Sequence, residues 1–218
     1  MRLCLISYHA DVTGMDSAAQ GHVQTLCQYV MALEQRGHEV FWLSSQDLAQ
    51  HGAAPLVATL LESLPPTCRY VVPCQTYRLA GVHVCVVDVA VWQHPDLHTR
   101  LFTLLCLLHR AYSWDLMHAW GDGAAVYLGA YTGRFLGLPA VVSYSPAALA
   151  AAFQQSFIGT WVARNATRVI VANAAERAAL LARGASASDQ VQVVDVILPT
   201  AAQAMTALYT SLQADTVT

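Results

Sequence analysis

The sequence predicts an α/β protein of the three-layer, Rossmann-like, doubly wound kind, with a mostly parallel sheet of about seven strands and a C-terminal helix. Short apolar runs alternate along the chain with longer segments of helical periodicity. Most of the runs are nearly continuous in Val, Leu and Ile, as in strands that are covered on both faces. This alternation is typical of βαβ units, whose crossovers build a parallel sheet.

The predicted strands share this apolar character. They are Arg2–Ser7, Glu39–Ser44, Val82–Val87, Asp115–Ala119, Ala140–Tyr144, Arg168–Ala172 and Val191–Ile197. Two of the helices between them carry signals at their ends. Apolar residues recur at helical spacing from Ser17, and Gly37 is a natural stop. Asn173 can cap a later helix while the Glu176 side chain accepts a hydrogen bond from the backbone at the start of that helix. Gly184 can end the same helix.

The chain shows no linker or internal repeat. The stretch 46–80 is the least regular, with four prolines, and is not assigned to elements. We therefore expect one domain over residues 1–199, followed by a helix and tail over 200–218, with the helix at Ala202–Leu212.

Composition restricts the function further. The 218 residues are 56% hydrophobic and 11% charged, which excludes a disordered chain. Fourteen acidic against eleven basic residues give a net charge of -3, so no nucleic-acid surface is predicted. All eleven basic residues are arginines, which excludes Schiff-base and P-loop lysine chemistry.

The apolar content does not predict an integral membrane segment. The charge-free stretch Phe135–Ala163 is interrupted by Pro139 and Pro146, and a spanning helix needs about 20 predominantly apolar residues. The apolar start is too short before His9 to be a signal peptide. The six cysteines form no CxxC pair, so we expect reduced thiols in a cytoplasmic protein.

Several segments together resemble the N-terminal, acceptor-side domain of GT-B glycosyltransferases of the family 4 type. In order, they are Met1–Ser7, Gly21–Leu26, Leu33–Val40, Trp114–Trp120, Phe135–Ser143, Ala166–Asn173 and Val191–Val194. Their order and spacing agree with that family over residues 1–199.

The resemblance implies an acceptor-binding domain that works beside a second, donor-binding domain. Family members bind the nucleotide sugar in that second domain, which carries a Glu-x7-Glu pair, and react in the cleft between the two. No two glutamates of this chain are eight residues apart, so the donor-binding domain is expected to be absent from it. The family's Gly-Gly loop is replaced by Ser17, Ala18 and Ala19, and its strand-end histidine by Ser145. The catalytic residues are left unknown.

The resemblance and the expected sheet edge together supply a set of candidate substrate-binding residues. They are His9, Asp11, Gly21, His22, His118, Asp122 and Ser145. His118 follows a strand where ligands bind in open α/β sheets, but it can equally be a hydrogen-bonded histidine packed beside Trp120. Asp122 can bind an acceptor hydroxyl or cap a helix, and His9 with Asp11 can face the cleft or lie in a solvated loop.

No cofactor and no metal are predicted. The run Gly121-Asp122-Gly123 imitates a dinucleotide fingerprint, but its third glycine and the following acidic residue are missing. His94 and His98 are four residues apart and lack a third ligand. No Gly-x-Ser-x-Gly elbow supports a hydrolase triad.

Two functions follow from these patterns. The first is the acceptor-side part of a glycosyltransferase, inactive as an isolated chain and acting with a donor-binding domain on another chain or in a longer parent protein. The second is a non-catalytic binding or assembly module that has kept the fold and lost the chemistry. Expected partners are a donor-domain chain or a second copy, with a small molecule or glycan as acceptor. The stretch 135–163 can meet such a partner or be buried beneath the final helix.

Overall fold

The computed structural model describes eleven segments of the chain: residues 1–8, 17–45, 59–60, 68, 71–72, 74–79, 81–121, 123–144, 156–182, 189–194 and 201–216. The chain forms two compact units, Met1–Trp114 and Asp115–Thr218.

The first unit contains a mixed sheet and helices. Its strands are β1 (Arg2–Tyr8), β2 (Glu39–Ser44), β3 (Thr59–Leu60), β4 (Cys74–Leu79) and β5 (Val82–Val87), in the order β3-β4-β5-β2-β1. Its helices are α1 (Ser17–Glu34), α2 (Val89–Gln93) and α3 (Pro95–Tyr112). Strands β1, β2 and β5 run parallel, whereas β4 is antiparallel to both β5 and β3.

Local chemistry sets the ends of the helices in this unit. After α1 the chain turns at Gly37, whose φ of 83° lies in the left-handed region that glycine accepts without strain. Asp88 caps α2 by accepting a 2.7 Å hydrogen bond from the Ala90 N–H. Helix α3 begins at Pro95, where a missing N–H costs nothing, and stops at Ser113, whose N–H donates to the His109 carbonyl at 2.7 Å.

The antiparallel strand β4 lies in the stretch that the sequence leaves unassigned. Its Tyr77 and Leu79, which share one face, are buried, while Arg78 between them is exposed. Such alternation marks a strand with one solvated face, which has too few apolar residues to stand out as a continuous run. The structure thus adds β3 and β4 to the seven predicted strands.

The second unit is built from parallel strands. They are β6 (Leu116–Gly121), β7 (Ala140–Tyr144), β8 (Arg168–Val171) and β9 (Val191–Val193), in that order. Its helices are α4 (Gly123–Leu136), α5 (Ser156–Asn165), α6 (Ala174–Ala182) and α7 (Ala201–Thr216).

The predicted cap of α6 is confirmed. The Glu176 N–H donates to Asn173 Oδ1 at 2.9 Å, and Glu176 Oε2 accepts from the Ala172 N–H at 2.9 Å. One orphan donor of the first turn and the N–H of the residue before the cap are therefore satisfied. The predicted stop at Gly184 lies outside the described residues.

Helix α4 approaches its sheet closely because small residues face the strands. A Cβ at Gly129 would meet the Cβ of Ala119 on β6, and a Cβ at Gly133 would lie 2.8 Å from the Cβ of Ala140 on β7. This close packing fixes α4 against the strand from whose end it begins.

The predicted α/β class, with a mostly parallel sheet and a C-terminal helix, is confirmed. All seven predicted strands are present, although β6 runs two residues further, to Gly121, and β9 ends at Val193. The C-terminal helix is longer than predicted, at Ala201–Thr216, and buries Met205 and Tyr209. The domain bounds 1–199 and 200–218 stay a prediction. Among the described helices, none has the length and apolar character needed to cross a bilayer.

Candidate functional site

His118 is the candidate site residue whose surroundings the structure describes in most detail. It lies on β6 opposite Val141 of β7, and only 1% of its surface is exposed. Its Nδ1 lies 2.5 Å from the Tyr209 hydroxyl, and its Nε2 lies 2.7 Å from the Ser143 hydroxyl. Two strands and the C-terminal helix of the second unit are therefore joined through one imidazole.

The environment keeps this imidazole neutral. Complete burial lowers the pKa of His118 to about 3, since the charged ring would lose its hydration. A neutral ring has one donor and one acceptor nitrogen, and a hydroxyl can complement either. His118 therefore carries no positive charge toward a phosphate at neutral pH.

The contact between Ser143 and His118 has the spacing of a nucleophile and its base, but not the chemistry. A nucleophilic serine needs a substrate within reach and a base that accepts its proton near the working pH. Ser143 is 1% exposed, and the pKa of His118 is about 3. The Ser143–His118–Tyr209 group therefore fits a structural hydrogen-bond network better than a hydrolase.

The structure describes the other predicted site residues in less detail. Gly21 and His22 lie in helix α1 of the first unit. His9, Asp11, Asp122 and Ser145 lie outside the described residues. As a set of substrate contacts, the seven candidates stay a prediction.

The described strand ends show which residues precede the candidate positions in the chain. In the first unit, β1 ends at Tyr8, whose ring stacks on Trp92 with centroids 5.3 Å apart. Just before it, the Ser7 hydroxyl accepts a buried 2.8 Å hydrogen bond from Trp42 Nε1. These contacts hold the carboxyl end of β1, directly before His9.

In the second unit, Tyr144 closes β7 beside a left-handed glycine. It pairs with Gly121, whose φ is 118°. The Tyr144 hydroxyl is buried and has no hydrogen-bond partner in the part of the chain that the structure describes. Burial raises the pKa of Tyr144, so this hydroxyl stays protonated and able to donate. It is a buried polar group at the carboxyl end of a strand, where α/β folds bind ligands.

Sequence reasoning missed three residues of this unit: Ser143, Tyr144 and Tyr209. Ser143 offered a usable signal, because a hydroxyl in the apolar strand Ala140–Tyr144 needs a partner. Tyr209 offered no such signal, since it lies 91 residues from His118 in sequence.

A metal site finds no support in the described residues. No three His, Cys, Asp or Glu side chains among them are grouped to hold an ion. His98, one of the two histidines spaced for a metal, is instead bonded through Nε2 to the Trp92 carbonyl at 2.8 Å.

Comparison of sequences identifies no relative, because no protein-family model and no curated protein matches the chain. Comparison of structures gives clear similarities. A sucrose-phosphate synthase from Thermosynechococcus elongatus aligns with a TM-score of 0.59 and 16% identity, over 97% of this chain and 99% of that one.

UDP-N-acetylglucosamine 2-epimerases align over a smaller share of their own length. The Rickettsia bellii enzyme gives a TM-score of 0.56 and 10% identity, over 95% of this chain and 48% of that one. The Neisseria meningitidis enzyme bound to UDP-GlcNAc gives a TM-score of 0.54 and 8% identity, over 99% of this chain and 52% of that one. This chain thus spans about half the length of these epimerases. Its structural neighbours are GT-B glycosyltransferase-like proteins, and the chain shares their fold.

Proposed function

We propose that this chain is the acceptor-side part of a GT-B glycosyltransferase of the family 4 type. Sugar transfer from a nucleotide sugar then requires a donor-binding domain, on another chain or in a longer parent protein. The observation that carries the proposal is the alignment of nearly the whole chain with about half of two nucleotide-sugar epimerases. The ordered motifs of residues 1–199 support the acceptor-side assignment. The cysteine pattern, six residues with no CxxC pair, fits a cytoplasmic protein.

In this proposal the acceptor, a small molecule or glycan, binds at the carboxyl ends of the strands. Asp122 and Ser145 of the second unit supply contacts to it, and His9, Asp11, Gly21 and His22 stay candidate contacts within the first unit. His118 is a positioning residue, because both of its ring nitrogens are bonded to protein side chains and its surface is buried. Its network holds the ends of β6 and β7, from which Asp122 and Ser145 follow in sequence.

Ligand binding by the purified chain tests this assignment. Saturation-transfer NMR with a panel of saccharide acceptors is expected to show binding, and the same experiment with nucleotide sugars is expected to show none. Asp122→Asn should weaken acceptor binding about tenfold, the cost of one lost charge-assisted hydrogen bond. Glu39→Gln is the matched control, since Glu39 begins β2 and pairs with Arg2. Tight binding of nucleotide sugars without acceptor binding would overturn the assignment.

A second candidate function, a non-catalytic assembly module, is favoured by an aromatic surface of the second unit. Tyr127 and Tyr131 of α4 stack at 5.8 Å and contact Trp161 of α5 at 5.3 and 6.1 Å. Along the same helix, Phe135 is 65% exposed. Exposed aromatic groups of this kind are enriched where proteins bind one another.

Light scattering separates this candidate from the first. An assembly module that associates through this surface is expected to form a dimer or larger assembly that Phe135→Ser dissociates. A monomeric wild-type protein would exclude an assembly module that associates with itself through this surface.

A further inference from the structure

Three of the six cysteines lie on strands of the first unit: Cys4 on β1, Cys74 on β4 and Cys85 on β5. Cys74 is half-buried, and the other two are buried. In the antiparallel pairing of β4 with β5, Cys74 stands opposite Val87, and Thr76 stands opposite Cys85. Cys74 and Cys85 are therefore diagonal neighbours whose side chains project from the same face of the sheet.

The two neighbouring thiols shift each other's acidity. Interaction with the Cys85 thiol lowers the pKa of Cys74, whereas interaction with Cys74, together with burial, raises the pKa of Cys85. The more acidic thiol of the pair is also the more accessible one, as in reactive cysteines of dithiol pairs.

Cys4, Cys27 and Cys106 lack this combination. Burial raises the pKa of Cys27 to about 11 and also raises that of Cys4. Cys106 on α3 is half-buried like Cys74, but burial raises its pKa. Cys106 is therefore a matched control of similar exposure and opposite acidity.

We propose that Cys74 and Cys85 are a redox-active dithiol, which a low-molecular-weight disulfide such as oxidised glutathione converts into a disulfide between β4 and β5. The Cys74 thiolate attacks one sulfur of the oxidant, its S–S bond breaks, and the first glutathione leaves as a thiolate that takes up a proton. Cys85 then loses its proton and attacks the Cys74 sulfur of the mixed disulfide, which releases the second glutathione. Two protein thiols are oxidised, and one disulfide is reduced to two thiols.

Closing this bond requires a small movement of the backbone, which makes the bond readily reversed. Diagonal partners across an antiparallel pair have Cα atoms roughly 7–8 Å apart, slightly beyond the usual disulfide range of about 4.4–6.8 Å. Strand β4 must therefore move toward β5, and the described part of its other neighbour, β3, is two residues long. A bond that needs such movement is easily reduced, as labile disulfides are.

Peptide mapping tests the proposal without any variant. Trypsin cleaves after Arg69, Arg78 and Arg100, so Cys74 and Cys85 are each the one cysteine of their peptides, residues 70–78 and 79–100. The native protein is incubated with oxidised glutathione, alkylated, digested and analysed by mass spectrometry. We expect these two peptides to be joined, and dithiothreitol to separate them. Absence of the joined pair, or first modification at Cys68 or Cys106, would overturn the proposal.

Variants test the order of the two steps. Cys85→Ser should stop at the mixed disulfide and leave glutathione on peptide 70–78. Cys74→Ser should abolish formation of the joined peptides, whereas Cys106→Ser should react as the wild type does. If Cys85→Ser fails to fold, Cys85→Ala takes its place. A Cys85 variant that folds and does not accumulate the adduct contradicts the mechanism.

Discussion

His118 shows how a histidine at a motif position is used by the fold. Sequence spacing left two interpretations open, a substrate contact and a hydrogen-bonded histidine. The structure places the ring between the hydroxyls of Ser143 and Tyr209, at 2.7 and 2.5 Å, with no surface exposed beyond 1%. The His118 ring therefore contributes to stability first. It can influence binding only through β6 and β7, the strands that it joins.

The buried ring predicts a dependence of stability on pH. The pKa of His118 is about 3 in the folded chain, whereas an unfolded histidine titrates near about 6.5. Between these values the unfolded chain binds a proton that the folded chain does not, so this contribution to the unfolding free energy declines as pH falls from about 6.5 toward 3. We expect His118→Gln to show a shallower decline than the wild type.

Urea unfolding at several pH values between about 4 and 7 measures this difference. His38, His83 and His109, whose pKa values are also lowered by burial, are present in both proteins. Their contribution therefore cancels in the comparison. Parallel pH profiles of the two proteins would contradict a buried, neutral His118.

Two tyrosines of the second unit give a matched pair of substitutions. Tyr209→Phe leaves a buried nitrogen of His118 without its partner and should lower the unfolding free energy by about 1–3 kcal/mol. Tyr144→Phe removes a buried hydroxyl that has no partner among the described residues, so it should be neutral or stabilise by up to about 1 kcal/mol. Chemical denaturation gives both values. Equal losses in the two variants would contradict the assigned hydrogen bonding.

At the level of elements, prediction succeeded where the signal was local. The strand Val82–Val87 was found because its run of apolar residues is nearly continuous, and the cap at Asn173 was found because its partner Glu176 is three residues away. Strand β4 was missed because one of its faces is polar and its pairing with β5 is set by the tertiary fold. Tyr209 on α7, the partner of His118, was missed because this contact is also set by the tertiary fold.

The close packing of α4 predicts an unusual response to alanine. Replacing glycine by alanine inside a helix normally gains about 1 kcal/mol of helix propensity. At Gly129, however, the added methyl group would collide with Ala119. We expect Gly129→Ala to lower the unfolding free energy by about 1–3 kcal/mol, the usual cost of overpacking.

Gly123→Ala is the control for this effect. Gly123 begins the same helix, and a Cβ there would meet nothing within 4 Å. The control should therefore be neutral or slightly stabilising in the same thermal or urea unfolding experiment. Stabilisation by Gly129→Ala would show that α4 lies further from β6 than the structure indicates.

At the scale of the whole molecule, the fold relationship was predictable and the chemistry was not. Seven weak motifs in the right order, from Met1–Ser7 to Val191–Val194, predicted a GT-B-like chain, and solved structures at 8–16% identity share its fold. Fold similarity at that distance leaves the reaction open, because function depends on the site.

Nucleotide-sugar turnover, with and without a donor-binding domain, is the decisive test of the acceptor-side assignment. The chain is incubated with labelled nucleotide sugars and an acceptor, first alone and then with the second Rossmann-like domain of its parent protein or of a neighbouring gene product. We expect no release of nucleotide from the chain alone and transfer to the acceptor when both domains are present. Turnover by the chain alone, or none with both domains and a bound acceptor, would contradict the acceptor-side assignment.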